Sequence, residues 1–267
     1  MKIDRRKFLK MAGFTGIGLG LSAADIFVKD TAEASSGHSA VSTAAVRHAM
    51  VIDVRKFKTP EDYQKITEAC HSIHNVPTLI PEKGNIRHEI KWIWNVPYGQ
   101  AFPDQVNHYH PEAFKQKQFP LLCNHCDHPP CVRVCPTKAT FKRPDGIVQQ
   151  DMHRCIGCRF CMAACPFGAR SFNFVDPRPF IPARNSEYPT RTMGVVEKCT
   201  FCSERLERGL QPACVEASNG AMAFGNLNDP ESEVRKILKT SFSLQRKPEL
   251  GTMPSVFYVI GGEEYAG

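Results

Sequence analysis

The sequence predicts an α+β fold of two interlocked small modules, one of them discontinuous, and not a large dry core. Three observations predict it. The 267-residue chain carries twelve cysteines, eleven of them in three runs and one, Cys70, far upstream. Its 18 glycines and 20 prolines suit loops that wrap cofactors. Short apolar runs of strand length stand beside the cysteines, with few long helical patterns between them.

At the N-terminus, "RRKFLK" places Arg5 and Arg6 before Phe8 and Leu9, a Gly-rich apolar run extends to Val28, and Ala32-Glu33-Ala34 has the pattern of a cleavage site. Residues 1–34 therefore resemble a twin-arginine (Tat) signal. This implies export to the periplasm or the extracytoplasmic face of the membrane, after cofactor insertion in the cytoplasm. The alternative is an uncleaved membrane anchor, but the run holds four glycines and an aspartate and is short for a spanning helix. No later stretch is long and apolar enough to span; "PSVFYVIGG" is strand-sized. A quinone-linked role would need a separate membrane subunit.

The formal net charge is +7; residues 1–34, with six basic and four acidic side chains, account for +2 of it. The remainder is diffuse, without a Lys/Arg block and interleaved aromatics, so nucleic-acid binding is not expected. No catalytic-triad signature, phosphate loop or GxGxxG appears, and no small-molecule substrate site is expected in this chain.

"CIGCRFCMAACP" sets Cys155, Cys158, Cys161 and Cys165 in the bacterial ferredoxin spacing C-x2-C-x2-C-x3-C-P, a specific signal for a [4Fe-4S] cluster. "CNHCDHPPCVRVCP" sets Cys123, Cys126, Cys131 and Cys135 in a variant with a longer middle gap. Three thiolates of such a run hold one cluster while the fourth ligates its neighbour. The crossed rule assigns Cys123, Cys126, Cys131 and Cys165 to one cluster, and Cys155, Cys158, Cys161 and Cys135 to a second. The fourth cysteine of each run is expected to open a helix, with Pro136 and Pro166 in its first turn. Zinc is the main competitor, because paired C-x2-C units also build four-cysteine sites. It does not call for the third cysteine of each run or for the prolines. An even cysteine count outside the cytoplasm also admits disulfides, which the spacing disfavours.

The third run supplies only Cys199, Cys202 and Cys214, with Ser218 where a fourth cysteine belongs. Cys70 makes up the deficit. Counting back from it with ferredoxin spacing lands on Ile66, Tyr63 and Pro60, so "PEDYQKITEAC" reads as a run that has kept only its last cysteine. Under the crossed rule Cys70 completes a third cluster with Cys199, Cys202 and Cys214. The lost positions Pro60, Tyr63, Ile66 and Ser218 would together have formed one further site. Twelve cysteines thus make three complete [4Fe-4S] sites. The bland alternative leaves Cys70 as a small buried hydrophobe.

The expected organisation is a signal at 1–34, the first half of a discontinuous module at 35–118, a continuous module at 119–179, the second half at 180–230, and a tail at 231–267. "AMVIDV", "GIVQQD" and "RHEIKWIWNV" read as strands, the last with Trp92 and Trp94 on one face. "SERLERGL" reads as a short helix ended by Gly209. "VDPRPFIPARNSEYPT" is a linker returning to the discontinuous module. In the tail, Asp229 and Pro230 suit the N-cap and first position of a helix. Histidines 108, 110, 125, 128 and 153 read as surface groups or as neighbours tuning cluster potentials.

On these motifs, together with "PACVEASNGAMAFGNLNDP", the stretch from about Met50 to Glu231 resembles the four-cluster ferredoxin-type subunits of dimethyl sulfoxide, polysulfide and nitrate reductases and formate dehydrogenase. It departs from them in the missing fourth site. With the expected export signal and three clusters it is similar to the DsrO-type subunits of DsrMKJOP complexes in sulfur metabolism. That resemblance implies a non-catalytic electron-transfer subunit working between a multihaem cytochrome c and an NrfD-type membrane protein that handles quinone. The alternative is the iron–sulfur subunit of a molybdopterin reductase or of a hydrogenase-linked membrane complex. A catalytic iron–sulfur enzyme would need an open iron, which the Cys70 assignment closes.

Overall fold

The computed structural model describes residues 46–78 and 88–261. The Tat-like stretch with Arg5 and Arg6 lies outside the described residues. The largest sheet has four strands. Strand β1 (His48–Asp53) lies between β8 (Met222–Asn226), paired antiparallel, and β10 (Val256–Val259), paired parallel, with β9 (Ser243–Leu244) antiparallel on β10. In β1, five consecutive residues are buried because both faces are covered. Ala49 and Val51 point to one face, where Val234 of the amphipathic helix α8 (Glu233–Thr240) packs with Ala223 and Val259. Met50 and Ile52 point to the other, into the main core with Phe224, Val256 and Tyr258.

Helix α1 (Pro60–Ile73) follows β1. Thr59 is its N-cap and Pro60 its first residue, and the Asp62 carboxylate accepts the Thr59 N–H at 3.0 Å. Ile66 and Cys70, one turn apart, form its buried face. It ends where Asn75 turns left-handed at φ +52° and the Val76 N–H bonds back to His71 O at 3.0 Å.

Short helices α2 (Tyr98–Ala101) and α3 (Glu112–Gln116) lie between β2 (Ile93–Pro97) and its antiparallel partner β3 (Gln118–Leu122), which runs straight into Cys123. Strands β4 (Thr140–Lys142) and β5 (Val148–Gln150) form a hairpin between the first two cysteine runs; β6 (Ser171–Phe172) pairs with β7 (Val196–Glu197). Among the described residues, the other α-helices are single turns at the cysteines: α4 (Pro130–Arg133), α5 (Phe160–Ala164), α6 (Ser203–Leu206) and α7 (Ala213–Ala217). Helices α1 and α7 pack together, although some 140 residues separate them in sequence. These small sheets and one-turn helices are an α+β, ferredoxin-like fold.

Two local expectations are corrected. Cys135 and Cys165 do not open helices; they follow α4 and α5, and Pro136 and Pro166 sit in turns closed by Lys138 N–H to Cys135 O (3.3 Å) and Gly168 N–H to Cys165 O (3.4 Å). Proline's fixed φ suits the second position of a turn as well as a first helical turn, so the sequence signal serves either. Helix α8 begins at Glu233 behind Ser232, and not at Pro230. The Asp229 carboxylate is spent on the Glu231 N–H at 2.9 Å, a local turn that delays the helix. Among the described residues, no helix is long and apolar enough to cross a membrane.

Candidate metal centre

All twelve cysteines are free thiols. Cys135, Cys155, Cys158 and Cys161 line one cavity, and Cys123, Cys126, Cys131 and Cys165 line another. Cys70 sits in the electrostatic field of Cys199, Cys202 and Cys214, the three thiols of the third run. The helices explain how. Residues Cys131, Cys161 and Cys214 stand in the first turns of α4, α5 and α7, while loop residues bring the first two cysteines of each run around them. Gly157, between Cys155 and Cys158, has φ +69°, and a Cβ there would meet Gly194 O at 2.3 Å, so the loop requires glycine.

Backbone N–H groups point at the sulfurs: Thr140 to Cys135 at 3.4 Å, Val196 to Cys155 at 3.5 Å and Phe201 to Cys199 at 3.4 Å. At Cys135, burial opposes the thiolate but bonds from Thr140 and Thr137 prevail and lower its pKa. At Cys126, Cys214, Cys70, Cys199 and Cys202 burial dominates, reinforced by neighbouring sulfurs. Cys126 is pushed up to about 12 by burial and then by Cys123. Cys214 also reaches about 12, by burial and then Cys199, and Cys70, Cys199 and Cys202 are raised for the same reasons. These all-sulfur donor sets fit iron–sulfur clusters, whose thiolate ligands are deprotonated by the metal.

The groups form a row. Cys161 of one cavity feels Cys131 of the next, and Cys199 of the third group feels Cys123 of that cavity. Exposure falls along the row: Cys158 is exposed, Cys155 and Cys135 are half-buried, and Cys70, Cys199, Cys202 and Cys214 are all buried.

Several polar groups beside the thiols were not singled out by sequence reasoning. Arg170, 5% exposed, lies in the field of Cys131, Cys161 and Cys123 and donates to Gln150 Oε1 at 3.0 Å and Thr140 Oγ1 at 3.1 Å. The fully buried Lys198 donates to Val148 O and to Cys199 O at 2.7 Å. His74 and Glu204 flank Cys70 and Cys202, and His74, Cys202 and Glu204 offer ligand atoms within 4.8 Å of one another. Neither Arg170 nor Lys198 belongs to a spacing pattern, so nothing in the sequence marks them. His74 stands one helical turn after Cys70, the one local hint. Of the histidines expected near the clusters, His125 is buried; its Nδ1 accepts the Val148 N–H at 3.0 Å and its ring stacks on Phe201 at 3.7 Å. Burial, then Lys198, holds it well below the ordinary histidine pKa, so it is neutral. His108, His128 and His153 are exposed, and His110 is half-buried.

The four positions read as lost ligands have structural roles. Pro60 starts α1 and Ile66 is fully buried in the core. Tyr63 donates its hydroxyl to Gln118 O at 3.0 Å and stacks on Phe57 at 4.8 Å. Ser218 donates to Val215 O at 2.7 Å and accepts the Met222 N–H at 2.9 Å.

Fold and thiol groups together define a ferredoxin-type iron–sulfur protein. Residues 114–176 match the 4Fe-4S dicluster domain family. The chain is 42% identical to the Hdr-like menaquinol oxidoreductase iron–sulfur subunit 1 of Archaeoglobus fulgidus, over 98% of this chain and all of that one. It is 36% identical to a tetrathionate reductase subunit of Salmonella typhimurium, over 97% of this chain and 89% of that one. It is 41% identical to a polysulfide reductase subunit of Wolinella succinogenes, over 51% of this chain and 64% of that one. This protein belongs to the family these relatives represent, the iron–sulfur electron-transfer subunits of oxidoreductase complexes.

Proposed function

We propose that the chain holds three [4Fe-4S] clusters, with the ligand sets Cys123/Cys126/Cys131/Cys165, Cys155/Cys158/Cys161/Cys135 and Cys199/Cys202/Cys214/Cys70, and relays electrons without a substrate site of its own. Its partners are a multihaem cytochrome c and an NrfD-type membrane subunit that handles quinone, in a complex of the DsrMKJOP type. It works on the extracytoplasmic side of the membrane after Tat export. The observation that supports this reading is that the fourth thiol missing from the third run is supplied in space by Cys70, which lies in the electrostatic field of Cys199, Cys202 and Cys214. The pairing of β1 with β8 and the packing of α1 on α7 support a discontinuous module whose halves, 35–118 and 180–230, enclose the continuous one at 119–179. A relative that is a menaquinol oxidoreductase subunit supports the quinone link.

When bound, each cluster supplies one-electron chemistry. The chain's own residues position the sulfurs, aim N–H groups at them, and exclude water from the third site. The similarity to tetrathionate and polysulfide reductase subunits favours a second reading, an iron–sulfur subunit of a molybdopterin reductase.

The test is iron and acid-labile sulfide per chain on anaerobically reconstituted protein. About twelve irons are expected for three cubanes. About eight would withdraw both the Cys70 assignment and the DsrO-type comparison.

A further inference from the structure

We propose that the face around Cys158 is the surface at which a soluble redox protein docks, one that presents an acidic rim around its own one-electron centre. This rests on the reading that the cavity of Cys135, Cys155, Cys158 and Cys161 holds a cluster that exchanges electrons. Of the residues lining that cavity, only Ile156, Cys158 and Arg159 are exposed, so the loop from Cys155 to Arg159 forms its solvent-facing wall. The other groups have no such wall. The cavity of Cys123, Cys126, Cys131 and Cys165 is lined by no exposed residue, and the four thiols of the third group are all buried. Electron transfer weakens steeply with distance, so a partner in solution exchanges electrons fastest at the Cys158 end of the row.

The wall carries apolar side chains turned to solvent. Ile156 is 66% exposed, and Phe160, at the start of α5, is 59% exposed. A second loop abuts it. A Cβ on Gly157 would lie 2.3 Å from Gly194 O and 3.1 Å from the Phe172 ring, which sets Met193, 63% exposed, beside the wall. The Arg159 guanidinium lies over the rings of Phe172 and Phe174, 5.3 and 5.7 Å from their centroids. Apolar side chains grouped on a surface mark an interaction site, and an apolar centre with a charged rim is the anatomy of a protein interface.

Charge selects the occupant. From residue 128 to 175 the only acidic residues are Asp145 and Asp151, paired with Arg143 at 3.1 Å and with Arg154 at 3.2 Å. The next one, Asp176, faces Arg178 at 3.8 Å. Arg159 on the wall, Lys138 in the turn after Cys135 and Arg133 at the end of α4 are exposed and have no carboxylate partner among the described residues. A partner with carboxylates around its contact patch is drawn to such a face, gaining mainly in association rate. A second copy of this chain would set the same cations against each other. An anionic lipid surface would answer the cations but holds no one-electron centre. The patch is small and its cations stay solvated, which suits the short-lived encounters of electron-transfer proteins.

The test mixes the loaded, reduced chain, freed of reductant, with a c-type cytochrome of acidic isoelectric point, and separately with a basic one, in stopped flow over a range of salt. One electron leaves the chain and turns one ferric haem ferrous, read by the haem absorbance. The acidic cytochrome is expected to react faster at low salt and to slow as salt screens the pair. Arg159→Glu and Lys138→Glu each lower its rate by about tenfold at low salt, the lower end of electrostatic steering. Met193→Asp lowers it too, while Lys239→Glu, exposed on α8, leaves it unchanged. Lys138 and Met193 lie outside the 155–161 run, so iron content stays constant in those variants. Equal rates for the two cytochromes, no salt dependence, or no response to Lys138→Glu and Met193→Asp at constant iron overturns the proposal. A dimer in sedimentation that Met193→Asp dissociates also overturns it, as does binding to phosphatidylglycerol vesicles that Lys138→Glu abolishes while cytochrome rates stay the same. About eight irons per chain would withdraw the third cluster alone; the expected rates and salt dependence at that iron content still support this face, because its wall belongs to the second cluster.

Discussion

Arg170 shows what one side chain adds to a thiol-lined site. Its guanidinium is buried between the two thiol cavities, closest in its electrostatics to Cys131, Cys161 and Cys123, and Gln150 and Thr140 hold it there. A fixed cation between two negatively charged centres favours their reduced states. Arg170→Gln is therefore expected to lower the potentials of the two clusters at Cys123–Cys165 and leave the third unchanged, as read by potentiometric titration. At this scale the thiols were legible in the sequence because their spacing is dictated by the size of one cluster. Arg170, Lys198 and Glu204 were not, because they reach the thiols through tertiary contacts that carry no spacing.

Among the elements, α1 carries the most consequence. It opens with a capping box and ends on a left-handed asparagine, and between them it presents Ile66 and Cys70 inward. Ile66 fills with an apolar side chain the position that ferredoxin spacing reserves for a thiol, and Tyr63 ties the helix to Gln118 on β3. The helix thus keeps its fold without the lost ligands while still delivering Cys70. Replacing that residue, Cys70→Ala, is expected to drop iron content from about twelve to about eight per chain while circular dichroism shows the fold retained. In the sequence the α1 stretch reads as a remnant cysteine run and not as a helix, and the start of α8 is misplaced because Asp229 competes for its own local turn.

For the whole molecule, the linker after the second cysteine run acts as a clamp. Asn75 and Asn185 exchange hydrogen bonds (Asn185 N–H to Asn75 Oδ1 at 2.7 Å, Asn75 Nδ2 to Asn185 O at 2.9 Å), and Asn185 also donates to Ile73 O at 2.8 Å. Arg191 then pairs with Glu197 at 2.6 Å, with side chains only 2% and 0% exposed. Removing one partner of such a buried pair strands the other charge and costs about 3–5 kcal/mol. Arg191→Met is expected to destabilise the loaded protein by about that amount in denaturant unfolding, with an added fall in third-cluster occupancy because Arg191 also holds the His74 and Asn75 backbone.

The sequence by itself determined which thiols stand at cluster-ligand spacing, because thiolate ligation imposes fixed local spacing, and it raised the expectation that Cys70 makes up the deficit of the third run. It also determined the fold class, since cysteine runs flanked by short strand-length stretches and rich in glycine and proline leave little room for a large dry core. Only the tertiary structure decided which thiol group neighbours which, placing the Cys123 group between the other two, and which buried charges stand beside each. That order depends on β1 meeting β8 and α1 meeting α7 across most of the chain length, and long-range packing of this kind leaves no periodic trace in the sequence.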